Sequence, residues 1–217
     1  MGAKENLKAI HTMEGLTLRN AYDTAAVRGV DLGSLVFATG EIVMGDPERR
    51  YGMEDYKRKT FSEKVEPGAY PLIVYMAKTA KEDRIAFAEV RFSNKKPVRY
   101  VAAKSVYDVE NNRKGACSYV VNDSQTGFMD GDIFKAICAL PKRGNPSSVV
   151  CFDYFDDMVD ERLLETAEEL PYALGYSKDG TPSAVRLKAP SGKYYWYWGK
   201  DSSGRICCLV ADFFSYL

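Results

Sequence analysis

The stretch Tyr194–Phe214, YYWYWGKDSSGRICCLVADFF, constrains the fold more than any other part of the chain. Aromatic residues crowd its first arm, and Ile206, Cys207, Cys208, Leu209 and Val210 fill its second. Asp201-Ser202-Ser203-Gly204 lies between them. Asp and Ser bond to nearby backbone and Gly supplies positive φ, so these residues read as a turn and the whole as a β-hairpin. With those four residues as the loop, Trp198 faces Cys207 and Trp196 faces Leu209 on one side. Tyr197 and Cys208 share the other. Adjacent strand residues point to opposite faces, so Cys207 and Cys208 are expected to diverge. Aromatic and branched residues paired across strands hold a sheet together, and the hairpin is expected to sit centrally in the sheet system.

Taken in order, Leu16 to Arg28 reads as a short helix. Leu35 to Phe37 and Glu41 to Met44 read as a hairpin around Thr39-Gly40. Gly45-Asp46-Pro47 ends it, because proline cannot continue a ladder. Glu48 to Glu66 carries Arg49, Arg50, Lys57, Arg58 and Lys59 against Glu48, Glu54 and Asp55. A solvated connecting loop outweighs a phosphate-binding patch there, since no glycine-rich cradle leads into a helix. Glu66-Pro67-Gly68 turns into a strand over Tyr70 to Ala77. Arg84 to Phe92, RIAFAEVRF, puts Ala86, Ala88, Val90 and Phe92 on one face and Glu89 and Arg91 on the other. Val98 to Lys104 follows, and the three runs suggest an antiparallel meander. A fourth strand lies near Ala116 to Val121.

Asn122 to Asp130, NDSQTGFMD, reads as a polar loop. Asp130 then caps a helix over Gly131 to Leu140, with Ile133, Phe134, Ile137 and Leu140 on one face and Pro141 ending it. Val149 to Phe155 reads as a strand and Met158 to Leu170 as a second helix, buried along Val159, Leu163, Ala167 and Leu170. Tyr172 to Tyr176 and Ala184 to Lys188 precede the final hairpin. The expected architecture is α+β: mainly antiparallel β-sheet, sandwich-like or strongly curved, with about two substantial α-helices. No repeat, low-complexity tract or linker divides the chain, so residues 1–217 are expected to form a single domain, with 1–15 peripheral.

A chain of 217 residues buries roughly 70% of its unfolded surface and needs no disulfide or metal staple. Lys plus Arg and Asp plus Glu both number 30, so no general attraction to nucleic acid or anionic membrane arises. The five cysteines show no Cys-x-x-Cys spacing and read as buried thiols of a reducing cytosol. MGAKENLKAI lacks an apolar signal core, and Asn6 breaks the myristoylation pattern begun by Gly2. No apolar run approaches the ~20 residues that span a bilayer. The expectation is a soluble, cytoplasmic protein with no nucleic-acid or membrane partner.

His11 is the one histidine, so a Ser-His-Asp triad, a Cys-His dyad or a histidine-based zinc centre would depend on it alone. A solvated surface role outweighs that. No base or cation can be placed beside a thiol, and no metal or cofactor is expected. Carboxylates remain. The acidic run from Asp153 to Glu169 reads as a solvated face that could dock a basic partner. Asp123, Gln125, Thr126 and Asp130 could converge on a hard cation or a substrate hydroxyl, but Phe128 stands where a calcium loop needs Gly. Turn and cap roles therefore outweigh a site. If the chain has a small-molecule site, it is expected around Asp123, Thr126 and Asp130, with Asp46 or Tyr194 nearby. Gly127 permits close backbone approach, and the following helix offers its positive end.

The final segment also carries a resemblance. Ser191-Gly192, Tyr197-Trp198-Gly199, the Asp201 to Gly204 turn and Asp212-Phe213 resemble the C-terminal signature of a bacterial family known as domain of unknown function 4241. Three further segments look similar, in order: Gly40 to Pro47, Val65 to Pro71, and Asp123 to Asp130 ending Thr126-Gly127-Phe128-Met129-Asp130. The likeness spans most of the chain from about Gly33. Two loops are shorter than the family pattern, after Ser191-Gly192 and at Asp123. The resemblance implies a bacterial source and a mostly β domain, and no reaction.

The reading is a non-enzymatic protein- or ligand-binding module, such as an accessory or immunity factor, with a protein partner or a small polar ligand. One alternative is a carboxylate-dependent hydrolase of a small polar or sugar-like ligand, using Asp123, Asp130, Asp46 and Asp212. Another is a carbohydrate-binding module that exposes the hairpin's Tyr and Trp. Oligomeric state is left open.

Overall fold

The β11–β12 hairpin, Gly192–Lys200 and Ile206–Asp212, lies inside the larger of two antiparallel sheets in this computed structural model. The structure describes residues 17–19, 24–47, 49, 51–78, 83–114, 118–121, 125–139, 172–177 and 179–213. The other strands are β1 Thr17–Arg19, β2 Thr24–Phe37, β3 Ile42–Met44, β4 Gly68–Lys78, β5 Asp83–Arg91, β6 Arg99–Ala102, β7 Ser118–Val121, β8 Gln125–Asp130, β9 Tyr172–Tyr176 and β10 Pro182–Lys188. The helices among the described residues are α1 Tyr56–Lys59, entered through a 3-10 turn at Met53–Asp55, α2 Val106–Glu110 and α3 Gly131–Ala139.

The large sheet runs β1-β2-β4-β5-β12-β11-β6, with β7 also on β11. The second sheet runs β3-β8-β10-β9. The two lie face to face as an open sandwich. Trp196 and Trp198 point from the large sheet into the shared core, together with Leu35, Phe37, Leu72, Val74 and Leu209. Ile42, Met44, Phe128, Val185 and Leu187 meet them from the second sheet. Phe128 and Phe61 meet the Trp196 ring edge-on, at 5.4 and 5.6 Å between centroids. Val43, Met129 and Ala184, on the second sheet's other face, pack against Ile133, Phe134 and Ile137 of α3. Ile133, Phe134 and Ile137 of the expected apolar stripe are therefore its buried face, and Leu140 lies outside the described residues.

Several segments differ from the sequence expectation. The stretch from Leu16 to Arg28 is not helical where described: β1 and β2 occupy it, because β2 pairs with β4 over nearly its whole length. Leu35–Phe37 and Ile42–Met44 do not pair with each other. β2 stays in the large sheet while β3 joins β8 in the second, so the chain crosses between sheets at Ala38–Glu41. Gly40 makes that crossing with φ 68°, and a Cβ there would sit 2.2 Å from the Val65 carbonyl oxygen. Glu48 to Glu66 is not merely a loop, since it holds α1 and buries Tyr51 and Phe61. β4 and β5 form a hairpin, but the meander stops there: β12 lies on the far edge of β5, and β6 lies beyond β11. Ala86 departs from the face of Ala88 and Val90, because the ladder slips between Tyr75 and Met76.

The final hairpin has its turn where expected. Gly204 adopts φ 82°, and the Asp201 carboxylate accepts from Ser203 N and Arg205 N at 2.9 and 3.0 Å. Its register is different. Trp198 faces Leu209 and Trp196 faces Ala211, because Arg205 joins the loop and the ladder slips between Gly199 and Lys200. A shift of two keeps both tryptophans on the core face. The slip leaves Cys207 unpaired in the ladder, so it joins Cys208 in one cluster on the sheet's outer side. Their expected divergence is thus overturned by a bulge. The expected strand at Val149–Phe155 and helix at Met158–Leu170 lie outside the described residues, as do His11 and the acidic run.

Candidate functional site

β8 ends at Asp130, where the second sheet, α3 and the crossing from β2 to β3 meet. The segment expected to be a polar loop is, from Gln125 onward, a strand with neighbours on both sides. It accepts Gly127 because a Cβ there would lie 1.9 Å from the Val185 carbonyl oxygen. Asp130 is buried. Its Oδ1 accepts from Asp132 N at 2.9 Å, capping the first turn of α3. Its Oδ2 accepts from Thr39 N and Thr39 Oγ1, at 2.9 and 2.8 Å. Gly131 N donates to Glu41 O at 3.1 Å.

Beside this cap stands an ion cluster that the sequence did not single out. The Glu41 carboxylate accepts from Lys64 Nζ at 2.7 Å, from Lys135 Nζ at 3.3 Å and from the Tyr56 hydroxyl. Burial pushes the Glu41 carboxyl up, but the bonds from Lys64, Tyr56 and Lys135 outweigh it and hold the group at about 2. The Tyr56 phenol is raised by burial and by the Glu41 charge. Burial opposes the charge on Lys135, and its bonds to Tyr56 and Glu41 overcome this and raise it. The cluster ties α1, the segment ahead of β4 and α3 to one carboxylate. A site built to move protons near neutrality needs a group poised there, and Glu41 is far below.

The remaining expected residues are scattered or engaged. Asp46 follows β3 and is buried, with its backbone N–H donating to Tyr51 Oη at 2.8 Å. Thr126 is buried on β8, and its hydroxyl has no hydrogen-bond partner among the described residues. Gly45 N donates to Gly127 O at 2.9 Å, so the segments of Asp46, Thr126 and Asp130 do share one sheet. Tyr194 is elsewhere, in the large sheet: its ring meets Phe213 at 5.1 Å, its hydroxyl donates to Pro190 O, and burial pushes its phenol up to about 12. Asp212 also belongs to the large sheet, paired with Phe87 and Tyr195. Asp123 lies outside the described residues. The hairpin offers no exposed sugar platform, because Trp196 is 1% and Trp198 0% exposed. No group of three His, Cys, Asp or Glu side chains among the described residues could hold a metal ion. No described helix is long and apolar enough to cross a membrane.

A second feature stands on α1 and α2. These short helices are locked together by backbone bonds, Ser62 N to Lys104 O and Val106 N to Thr60 O, both 2.9 Å. Phe61 roots the pair in the core, meeting both tryptophan rings at 5.6 Å. Ser105 Oγ accepts from Asp108 N at 3.1 Å, and Asp108 Oδ2 accepts from Ser105 N at 3.4 Å, closing the α2 N-terminus as a capping box. On this frame the guanidinium carbons of Arg58 and Arg113 lie 4.8 and 4.9 Å from the centre of the Tyr107 ring, within cation–π range. The Ser105-x-x-Asp108 spacing is the sequence signal that could have located α2.

Comparison with curated proteins and with solved structures found no match. A family described as "Protein of unknown function (DUF4241)" matches residues 35–211. That span takes in the crossing at Thr39–Gly40, the Asp130 junction, the α1–α2 pair and the tryptophan hairpin, and the chain belongs to this family.

Proposed function

We propose that the protein is a non-enzymatic protein-binding module whose contact face is the α1–α2 pair. The observation that carries this is the Arg58–Tyr107–Arg113 stack on a helix pair rooted in the core by Phe61. Arg and Tyr are the side chains most favoured at contact surfaces. A stacked, capped frame presents them with little ordering left to do on association. Met53 and Val109, on the same two segments, are 55% and 49% exposed and add apolar surface. The low affinity of Glu41 for protons and the structural engagement of Asp130 support the non-enzymatic half of the reading. A carboxylate-dependent hydrolase is less well supported, since Asp130 and Asp212 stand on different sheets. An accessory or immunity role suits such a module.

The test is co-expression with the products of adjacent genes, followed by hydrogen-exchange footprinting of any identified complex. Protection is expected over residues 53–62 and 104–113. Protection confined to another surface sinks the reading.

A further inference from the structure

We infer that the Arg58–Tyr107–Arg113 stack receives two carboxylates from one acidic helical segment of a partner. This rests on the reading of α1–α2 as a contact face, and it names the chemistry that face selects. Two guanidinium groups share one ring, so their charges lie within about 10 Å of each other, where like charges still repel across an ordinary screening length. Neither is in an ion pair among the described residues. Two acids of α2 are engaged: Glu110 pairs with Lys57 at 2.8 Å and Asp108 bonds Ser105. Lys104 Nζ donates to Arg113 O at 3.1 Å, which adds a third cation to the group.

Neither guanidinium donates a hydrogen bond among the described residues, so the N–H edges of both are left for an acceptor. Those edges match a carboxylate in a two-bond fork. Acidic residues one helical turn apart present carboxylates from Cβ atoms about 5–6 Å apart, a separation that two long arginines on one ring can span. A nucleic-acid backbone fits less well. Glu54, Asp55, Asp108 and Glu110 lie on the same helices and their approach turns, and they would repel a continuous polyanion more than a segment carrying two charges. The exposed Met53 and Val109 also give a protein segment apolar contact that a phosphate backbone cannot use.

The probe is a fluorescein-labelled helical peptide with Glu at two positions one turn apart, alongside the same peptide with Gln at both. Binding is followed by anisotropy, with a single-stranded oligonucleotide as a third ligand. The Glu peptide is expected to bind about tenfold more tightly than the Gln peptide, and to weaken as salt rises from about 50 to about 300 mM. The Arg58→Gln/Arg113→Gln double variant should lose that preference at unchanged melting temperature, and Lys96→Gln, an exposed charge outside α1 and α2, should keep it. Equal binding by the double variant, absence of Glu-peptide binding at low salt, or preference for the oligonucleotide would each overturn the inference. The footprint over residues 53–62 and 104–113 is scored separately. It can survive such a result, in which case the contact face stands and the acidic partner does not.

Discussion

Asp130 has two oxygens with different duties, one for the first turn of α3 and one for Thr39 across the sheet crossing. Asp130→Ala removes a cap, which costs ~1 kcal/mol, and strands a partly buried Thr39 N–H, which costs about 1–3 kcal/mol more. The expected loss in a urea titration is therefore about 2–4 kcal/mol, with Asp130→Asn milder because one acceptor oxygen remains. The cap was legible in the sequence, since Asp followed by a helical apolar stripe is a local signal. Glu41 was not, because its donors come from Tyr56, Lys64 and Lys135, which only the fold brings together. Its pH linkage has a definite sign. The folded carboxyl sits at about 2 against an ordinary 4.5, so its stabilisation is complete above 4.5 and drains as pH falls through 2. Glu41→Gln should be less stable than wild type at neutral pH, and the two denaturation midpoints should draw together in acid. A gap that is constant with pH would contradict the assignment.

At the scale of elements, the hairpin and the β4–β5 pair were readable because alternation and turn chemistry are local properties. β8 was misread for a physical reason. Gln, Thr and Gly suggest a loop, and nothing local shows that strands stand on both sides of them. Gly127 serves that packing. The register of the hairpin was also beyond local reading, because a bulge at Cys207 arises from how β12 meets two neighbours at once. The consequence is a pair of free, buried vicinal thiols on the outer side of the large sheet. The neighbouring Cys207 thiol and burial push the Cys208 thiol up. The inner side carries the larger energy. Trp196 meets Phe61, Phe128 and Phe213, so Trp196→Ala should cost about 3–5 kcal/mol. It should also loosen α1 and α2 by leaving Phe61 without one of its two ring partners. Faster amide exchange at Val106 than at Val74 in the variant, relative to wild type, is the expected signature.

At the scale of the molecule, fold class was legible from the density of strand signals, whereas the division into two sheets was not. The segments of Gly40, Gly68 and Gly127 lie far apart in the chain and meet around one crossing: Val65 N reaches Gly40 O at 3.0 Å and Gly45 N reaches Gly127 O at 2.9 Å. A reading by segments finds each motif without finding their meeting point. The position of β12 has a further consequence in time. It is the last described strand to be synthesised, yet it lies between β5 and β11 in the middle of the large sheet. A ribosome that has just released Lys200 has made every other described strand of both sheets. Until residues 206–212 emerge, β5 and β11 each present an open edge, a state that invites pairing between chains. Chains truncated after Lys200 should therefore collect in the insoluble fraction, and supplying Arg205–Phe213 as a separate peptide during refolding should recover soluble protein. For this sheet, completion waits on the last described strand, and the nascent chain depends on whatever shields β5 until then.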